Sequence, residues 1–177
     1  MKKTLIAVVL TIVLCLCAFG ATFAWLMDST ETVTNTFTVG DINITLAEGE
    51  DLDLKMIPGK TITKDPVVTV KANSEKCYLF VKIVKSVNFT NFMEYEMADG
   101  WIALAGEEGV YYREVEMTDA DKPFAIIKDN KVTVKDDVTK SMLEEAKNAA
   151  PTLAFTAYAV QHEGMADAAA AWTAANP

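Results

Sequence analysis

One histidine and many carboxylates are the side chains of this sequence that could carry out metal or acid–base chemistry. His162 is followed by Glu163-Gly164-Met165-Ala166. A zinc peptidase helix places histidines at positions i and i+4, so that both imidazoles reach the metal. The second histidine would fall at Ala166, so that site is absent, and a zinc held by His162 and carboxylates would have a single nitrogen ligand. We therefore interpret His162 as a satisfied or exposed side chain at the end of a strand.

Nucleophilic catalysis is equally poorly supported by the serine and cysteine residues. The serines are Ser29, Ser74, Ser86 and Ser141. None lies in a glycine-flanked elbow, and only His162 could activate one of them as a base. Cys77 begins the apolar run Cys77-Tyr-Leu-Phe-Val81, which predicts a small buried core residue rather than a reactive thiol. The sequence therefore predicts no catalytic residue and a protein that is not an enzyme.

A run of carboxylates from Glu48 to Asp53 could offer oxygen ligands to calcium. It reads Glu-Gly-Glu-Asp-Leu-Asp and lacks the regular ligand spacing of a calcium-binding loop. We interpret it as a solvated, charged turn. No metal ligand and no cofactor-binding residue is predicted anywhere in the chain.

The N-terminus has the organisation of a secretory signal. Lys2 and Lys3 precede the apolar stretch Leu5 to Phe19, and Gly20-Ala-Thr-Phe-Ala24 follows it. This order corresponds to the basic, hydrophobic and cleavage regions of a signal peptide. We therefore expect residues 1–24 to be a signal peptide.

Small side chains define the expected cleavage site. Thr22 and Ala24 occupy the third and first positions before a cut, which predicts cleavage by a signal peptidase between Ala24 and Trp25. The alternative is an uncleaved anchor, because Leu5 to Leu26 is long enough to span a hydrocarbon core of about 30 Å. In both cases the rest of the chain is expected outside the cytoplasm, and contact with the membrane is expected only before cleavage.

The size and charge of the mature chain limit its organisation and its partners. Removing 24 of 177 residues leaves 153, which suits a single domain over residues 25–177. The whole chain has a net charge of −9, and loss of Lys2 and Lys3 makes the mature chain −11. Such a surface repels nucleic acid. Because Arg113 is the only arginine, no arginine cluster can hold phosphates, and nucleic-acid binding is excluded.

The segment Thr34 to Leu46 has the alternation of a β-strand. Its inward-facing candidates are Phe37, Val39, Ile42 and Ile44. Phe37 and Val39 have odd residue numbers, and Ile42 and Ile44 have even ones, so in a regular strand the two pairs would point to opposite faces. A bulge at Gly40 would bring both pairs to one face.

The remaining pattern is that of short strands separated by turns. Strands are predicted at Thr61–Lys71, Tyr78–Val87, Trp101–Leu104, Val110–Met117, Phe124–Ile127, Lys131–Lys135 and Thr152–Gln161, with turns at Pro58-Gly59 and Asp129-Asn130. Pro66 predicts an edge or a break, and the apolar start of Tyr78–Val87 predicts a central strand. A helix capped at Ser141 and a helical tail held by Met165 and Trp172 complete the pattern. We predict an all-β sandwich of the jelly-roll or immunoglobulin-like kind with one or two short helices.

The order of several short motifs resembles the TasA/camelysin family of secreted proteins from Gram-positive bacteria. These motifs are Thr22-Phe-Ala24-Trp25-Leu-Met-Asp28, Thr36-Phe-Thr-Val-Gly40, Pro58-Gly-Lys60, Asp65-Pro-Val-Val68, Cys77-Tyr-Leu-Phe-Val81 and Thr156-Ala-Tyr-Ala-Val-Gln161. The resemblance implies processing by the signal peptidase SipW and a jelly-roll-like sandwich. For TasA it also implies assembly into extracellular biofilm fibres, in which the N-terminal strand of one subunit completes the sheet of the next. Camelysin-like members have also been called metallopeptidases.

The N-terminal segment 25–46 is the candidate donor strand and the feature best suited to assembly. Burial of its four apolar side chains in a second subunit would contribute roughly 6–12 kcal/mol, which is comparable with the ~4–15 kcal/mol cost of association. Head-to-tail donation does not close on itself, so it generates filaments. We expect a homo-oligomeric fibre subunit of the biofilm matrix, with a monomeric cell-surface adhesive module as the alternative and a metallopeptidase as the third. The same alternation also suits an ordinary first strand of a self-contained domain.

Overall fold

The computed structural model describes residues 41–49 and 55–175, which form antiparallel β-sheets with three short helices. The predicted all-β sandwich class is confirmed, with one helix more than the sequence indicated. The signal segment, the Ala24–Trp25 bond, Phe37 and Val39 lie outside the described residues. None of the helices in the described ranges is long and apolar enough to cross a bilayer.

The strands of the described residues fall into three sheets. They are β1 Ile44–Ala47, β2 Thr61–Thr63, β3 Val67–Val70, β4 Cys77–Lys85, β5 Met93–Met97, β6 Ile102–Ala103, β7 Val110–Val115, β8 Lys122–Ala125, β9 Ile127–Val134 and β10 Leu153–Gln161. The helices are α1 Phe89–Phe92, α2 Lys140–Ala146 and α3 Ala168–Ala175. The sheet orders are β1-β3-β8, β10-β4-β7-β6 and β2-β9-β5, and all pairs are antiparallel.

Strand β4 is the centre of the four-stranded sheet, as the sequence predicted. It pairs with β10 on one side and with β7 on the other. The side chains from Cys77 to Val81 are all buried, although successive side chains of a strand point to opposite faces. Both faces of β4 must therefore be covered, and two separate apolar clusters cover them.

The larger cluster joins the sheets, and the smaller one attaches α3. Val68, Leu79 and Ile127 belong to the larger cluster, which lies on one face of β4. On the other face, the ring of Trp172 lies 5.4 Å from that of Phe80, between centroids. The predicted role of Trp172 in holding a helical tail is therefore confirmed.

Prolines and glycines mark the interruptions that the sequence predicted between β1 and β4. The predicted Thr61–Lys71 strand is divided into β2 and β3, and the division lies at Pro66. Gly59 has φ of 71°, which fits the predicted turn, because only glycine adopts such a conformation without strain.

Two local predictions were wrong in detail. The cap of α2 is Thr139 rather than Ser141, and its Oγ1 accepts a hydrogen bond from the backbone N–H of Met142 at 3.3 Å. The pair Asp129-Asn130 lies inside β9 rather than between two strands, although both residues have positive φ.

Candidate assembly surface

The described part of the predicted donor strand, residues 41–46, runs into β1, and β1 pairs within its own chain. Ile44 lies opposite Val70, and Ala47 lies opposite Val67. Ile42 and Ile44 are half-buried and pack against the larger core cluster. In this structure they therefore act as residues of an ordinary first strand, whereas Phe37 and Val39 lie outside the described residues.

Backbone hydrogen bonds hold the chain in place from Asp41 onward. The carbonyl of Asp41 accepts from the N–H of Glu75 at 3.1 Å, and that of Asn43 accepts from Lys71 at 2.8 Å. The N–H of Asn43 donates to the Ser74 hydroxyl at 3.2 Å. The backbone at Asp41 and Asn43 is therefore held to residues 71–75 by hydrogen bonds.

Strand β10 forms one edge of the four-stranded sheet. Over the described residues it pairs only with β4, and its sequence Leu153–Gln161 contains neither a charge nor a proline. The opposite edge of this sheet is β6, which has only two residues. A long, uncharged edge exposes a row of N–H and C=O groups that another strand can pair with.

The inner face of β10 is incompletely covered. Leu153, Phe155, Ala157 and Ala159 pack against the larger core cluster, yet each remains only half-buried. The neighbouring strand β4 is, by contrast, buried along most of its length. Apolar surface that stays half-exposed at the boundary between sheets is available for a further apolar contact.

Two depressions lie along this incompletely covered boundary, and the larger of the two is mainly apolar. The larger has a volume of about 370 Å³, and Met56, Ile62, Met93 and Leu153 are among the side chains that line it. The smaller, of about 170 Å³, is lined in part by Leu46, Phe155 and again Leu153. We call this boundary between β10 and strands β1 and β2 the apolar seam.

His162 follows β10 directly and has partners on both sides. Its ring stacks on that of Tyr78 at 4.6 Å between centroids, and its Nε2 lies 3.3 Å from Oε2 of Glu114. Its backbone N–H donates to the carbonyl of Lys76 at 2.9 Å. This matches the predicted satisfied histidine at a strand end.

The surroundings of His162 do not fit a zinc site. Over residues 41–49 and 55–175, no three histidine, cysteine, aspartate or glutamate side chains lie together in a way that could hold a metal ion. Glu114, the nearest carboxylate, also lies 3.8 Å from the ammonium group of Lys76. A zinc ion normally needs three or four protein ligands, and here one imidazole faces one shared carboxylate.

The described part of the acidic turn is engaged in contacts within the chain. Glu48 forms an ion pair with Lys64. The N–H of Gly49 donates to the carboxylate of Asp65 at 2.9 Å. The remaining carboxylates of this turn lie outside the described residues.

Cys77 is fully buried, which confirms the prediction of a core residue. Burial raises the pKa of its thiol to about 11, because the anionic form would lose its hydration. The thiol is therefore protonated at neutral pH and is a poor nucleophile.

Arg113 forms a structural contact that the sequence did not reveal. Its guanidinium carbon lies 4.1 Å from the ring centroid of Phe124 and 5.3 Å from that of Trp101. Burial lowers its pKa, and its Nε is enclosed without a hydrogen-bond partner. The neighbouring Gly100 has φ of 86°, which favours glycine, and a Cβ there would lie 2.8 Å from Arg113 Nη2 and displace the guanidinium. No sequence pattern signals this contact, since its members come from separate strands and loops.

Comparison with known families supports the resemblance noted in the sequence. Residues 1–84 match the family model of the camelysin metallo-endopeptidase, and this bears out the TasA/camelysin resemblance. The match ends within β4 and so covers β1 to β3 but not β10. No curated protein and no solved structure matched the chain.

Proposed function

We propose that this chain, a TasA/camelysin-type protein by the match of its residues 1–84, is an extracellular structural protein whose subunits assemble head to tail into fibres. Proteins of this family are generally extracellular or at the cell surface. The observation that carries the proposal is the sequence of segment 34–40, which is uncharged and has the alternation expected of a strand, and which directly precedes the hydrogen-bonded Asp41. In this view the segment leaves its own domain and adds a strand to the next subunit within a biofilm matrix.

The composition of segment 34–40 supports a role in assembly rather than in solubility. It reads Thr-Asn-Thr-Phe-Thr-Val-Gly and has no charge, whereas the mature chain has a net charge of −11. General repulsion between acidic subunits opposes association, so a neutral strand is the least costly point of contact. Because donor and acceptor are different surfaces, the contact repeats along a line and does not close into a dimer.

The free energy of side-chain burial shows how much of the contact must come from backbone pairing. Since Ile42 and Ile44 pack on their own core, only Phe37 and Val39 remain for donation. Burial of two such side chains contributes roughly 3–6 kcal/mol, whereas association costs ~4–15 kcal/mol. Burial alone therefore offsets only the lower part of that range. Backbone pairing must therefore contribute substantially, which requires an acceptor with free N–H and C=O groups.

Electron microscopy and size-exclusion chromatography of purified residues 25–177 test the proposal. We expect monomers at low concentration and fibres at high concentration. Added salt should lower the concentration needed for fibres, because it screens repulsion between acidic subunits. A protein that stays monomeric at every concentration and salt level would instead be an adhesive or binding module.

The family description favours a second candidate, a metal-dependent endopeptidase. His162 is the only histidine, and its described surroundings offer one shared carboxylate, so we propose that the protein has no peptidase activity of its own. Assays on casein with added zinc should give equal, background cleavage for the wild type and His162→Ala. Zinc-dependent cleavage that disappears in His162→Ala would establish the peptidase.

A further inference from the structure

We infer that a groove between strands β4, β5 and β7 binds an acidic oligosaccharide, which is a carbohydrate chain that carries carboxylate groups. The groove combines two half-buried tyrosine rings with lysines that have no carboxylate partner in the described chain. This inference goes beyond assembly into fibres, because a monomer can bind such a ligand as well as a fibre can.

Two adjoining depressions form this groove. Their volumes are about 320 Å³ and about 380 Å³, and Lys85, Tyr95 and Tyr111 line both of them. Strands of different sheets meet here, because Lys85 ends β4, Tyr111 lies at the start of β7 and Tyr95 belongs to β5. Ligand sites commonly have volumes of about 300–1,000 Å³, so the two depressions together are large enough for an oligomeric ligand. We call them the tyrosine groove.

The two tyrosine rings are held by the core beneath them. Tyr111 lies opposite Val81 of β4. Tyr95 lies opposite Val132 of β9, and its ring stands edge-to-face against that of Phe89 at 6.0 Å between centroids. Both tyrosines pack against the larger core cluster and remain half-buried. A ring that is already fixed can cover the apolar C–H face of a sugar with little further loss of conformational entropy.

The hydroxyl groups of both tyrosines are available to a ligand. Within residues 41–49 and 55–175, neither hydroxyl forms a hydrogen bond. Burial, with a smaller contribution from Tyr111, raises the pKa of Tyr95 to about 12, so its hydroxyl stays protonated at neutral pH and can donate. Sugar hydroxyls both donate and accept hydrogen bonds, and they therefore complement the two phenol groups.

Lysines supply positive charge to the tyrosine groove. Lys85 is exposed, and its Nζ lies 5.9 Å from the ring centroid of Tyr95. Lys82 lines the second depression, and its Nζ lies 5.9 Å from the ring centroid of Trp172. Neither lysine forms an ion pair with a carboxylate of the described chain. Both ammonium groups can therefore pair with an anionic ligand.

Lysines without a carboxylate partner are notable on so acidic a protein. Elsewhere, the Nζ atoms of Lys71 and Lys76 lie 2.6 and 2.8 Å from carboxylate oxygens. The mature chain has a net charge of −11, so most surroundings supply a carboxylate. The charged side chains that line the groove in the described chain are Lys82, Lys85, Lys135, Glu94 and Glu108. Cations thus outnumber carboxylates locally, which favours an anion at this site.

An acidic carbohydrate satisfies both kinds of group in the tyrosine groove. Its carboxylates pair with the lysines, whose flexible side chains tolerate some variation in where the charges lie. Its rings present apolar faces to the tyrosine rings and hydroxyl groups to the phenols. A neutral sugar leaves the lysines unpaired, and an acidic peptide has no ring with an apolar face and a hydroxylated edge.

Isothermal titration calorimetry on residues 25–177, at a concentration where the protein is monomeric, tests the ligand class. The probes are an oligomer of galacturonic acid, a neutral maltose oligomer of the same length and an oligomer of glutamate. We expect binding of oligogalacturonate, weakening as salt screens the lysines, and none of the maltose oligomer. Oligoglutamate should bind about tenfold more weakly or not at all. Equal binding of oligoglutamate and oligogalacturonate would overturn the inference, because it would show general attraction of polyanions.

Charge-matched lysine variants test the site. Lys85→Gln should weaken oligogalacturonate binding about three- to fivefold, as expected for loss of an exposed ion pair. Lys140→Gln is the control, because Lys140 is also exposed, lines neither depression and changes the net charge equally. It should leave binding unchanged. Equal weakening by both variants would show that only net charge matters and would overturn the site.

A second pair of variants tests the phenol hydroxyl while keeping the ring. Tyr111→Phe should weaken binding about two- to tenfold, the range expected for one neutral hydrogen bond. Tyr158→Phe is the control, because Tyr158 packs against Trp172 and lines neither depression. Circular dichroism melts show whether each variant is folded. Unchanged binding by both Lys85→Gln and Tyr111→Phe would overturn the inference.

Nuclear magnetic resonance of methionine methyl groups in the unaltered protein locates the ligand without any substitution. Met97 lines the tyrosine groove, whereas Met165 packs against the cluster that holds α3. Added oligogalacturonate should shift the methyl signal of Met97 and leave that of Met165 in place. Binding that leaves Met97 unshifted would place the ligand elsewhere and contradict the inference.

Discussion

Deleting residues 25–40 is expected to abolish fibres while leaving a folded, soluble domain. This deletion removes Phe37 and Val39 but keeps Asp41, whose carbonyl bonds to Glu75, and the whole of β1. Extending the deletion through Ala47 should cost stability as well, because it removes Ile42 and Ile44 from the core. Because both side chains are half-buried, their loss removes roughly 1.5–3 kcal/mol, a substantial part of the ~5–15 kcal/mol that stabilises a typical domain. Urea denaturation and electron microscopy of the two deletions measure the two effects separately.

Point substitutions in the chain 25–177 provide the matched controls for these deletions. Phe37→Asp should prevent fibres without lowering the free energy of unfolding, since it would place an unpaired charge in an apolar groove only on assembly. Ile44→Asp should lower the free energy of unfolding of the monomer, because Ile44 packs against its own core. Fibres formed by the 25–40 deletion, or unimpaired assembly of Phe37→Asp, would contradict strand donation by this segment.

Phe80→Ala is expected to lower the free energy of unfolding by about 3–5 kcal/mol. Phe80 is fully buried, and its ring lies 5.4 Å from that of Trp172 and 6.2 Å from that of Tyr112. The truncation leaves a cavity where α3 packs on the sheet, so the helix loses one of its apolar contacts and keeps that between Trp172 and Tyr158. Urea denaturation followed by tryptophan fluorescence measures both the loss and the changed environment of Trp172.

Val84→Ala on the same strand is the control for Phe80→Ala. Val84 is 54% exposed, so truncation creates no enclosed cavity. A change within about 0.5 kcal/mol is expected for such an exposed position. A loss below about 1 kcal/mol for Phe80→Ala would show that α3 is not held to the sheet by this contact.

The elements that the sequence predicted best are those determined by residues close together in the chain. The alternation over Thr152–Gln161 predicted β10 to within one residue. The apolar run from Cys77 predicted a central strand, because a strand with two apolar faces must be covered on both sides. Pro66 predicted the break between β2 and β3, since proline lacks the N–H that a ladder needs.

The two wrong local predictions concern positions where the local sequence allows more than one structure. Contacts with other parts of the chain decide which of these structures forms. Thr139 and Ser141 have equally suitable hydroxyls for a helix cap. Thr139 is the cap because the preceding Val138 is buried and fixes where the chain enters the helix. Asp129-Asn130 has turn composition, yet β9 continues through it because it pairs with β5 on both sides of this point, across a shift of register, and with β2 after it.

The sequence by itself determined the strand content, the acidic surface, the apolar N-terminal alternation and the lack of a second histidine. Each of these depends on residue type and spacing along the chain. Only the tertiary structure decided that Ile42 and Ile44 pack on their own core and that β10 is an edge. The same holds for the contacts of the Arg113 guanidinium with the rings of Trp101 and Phe124. Strand order and the register of the hydrogen bonds depend on pairing between distant segments. The alternation of a single strand is compatible with several such pairings.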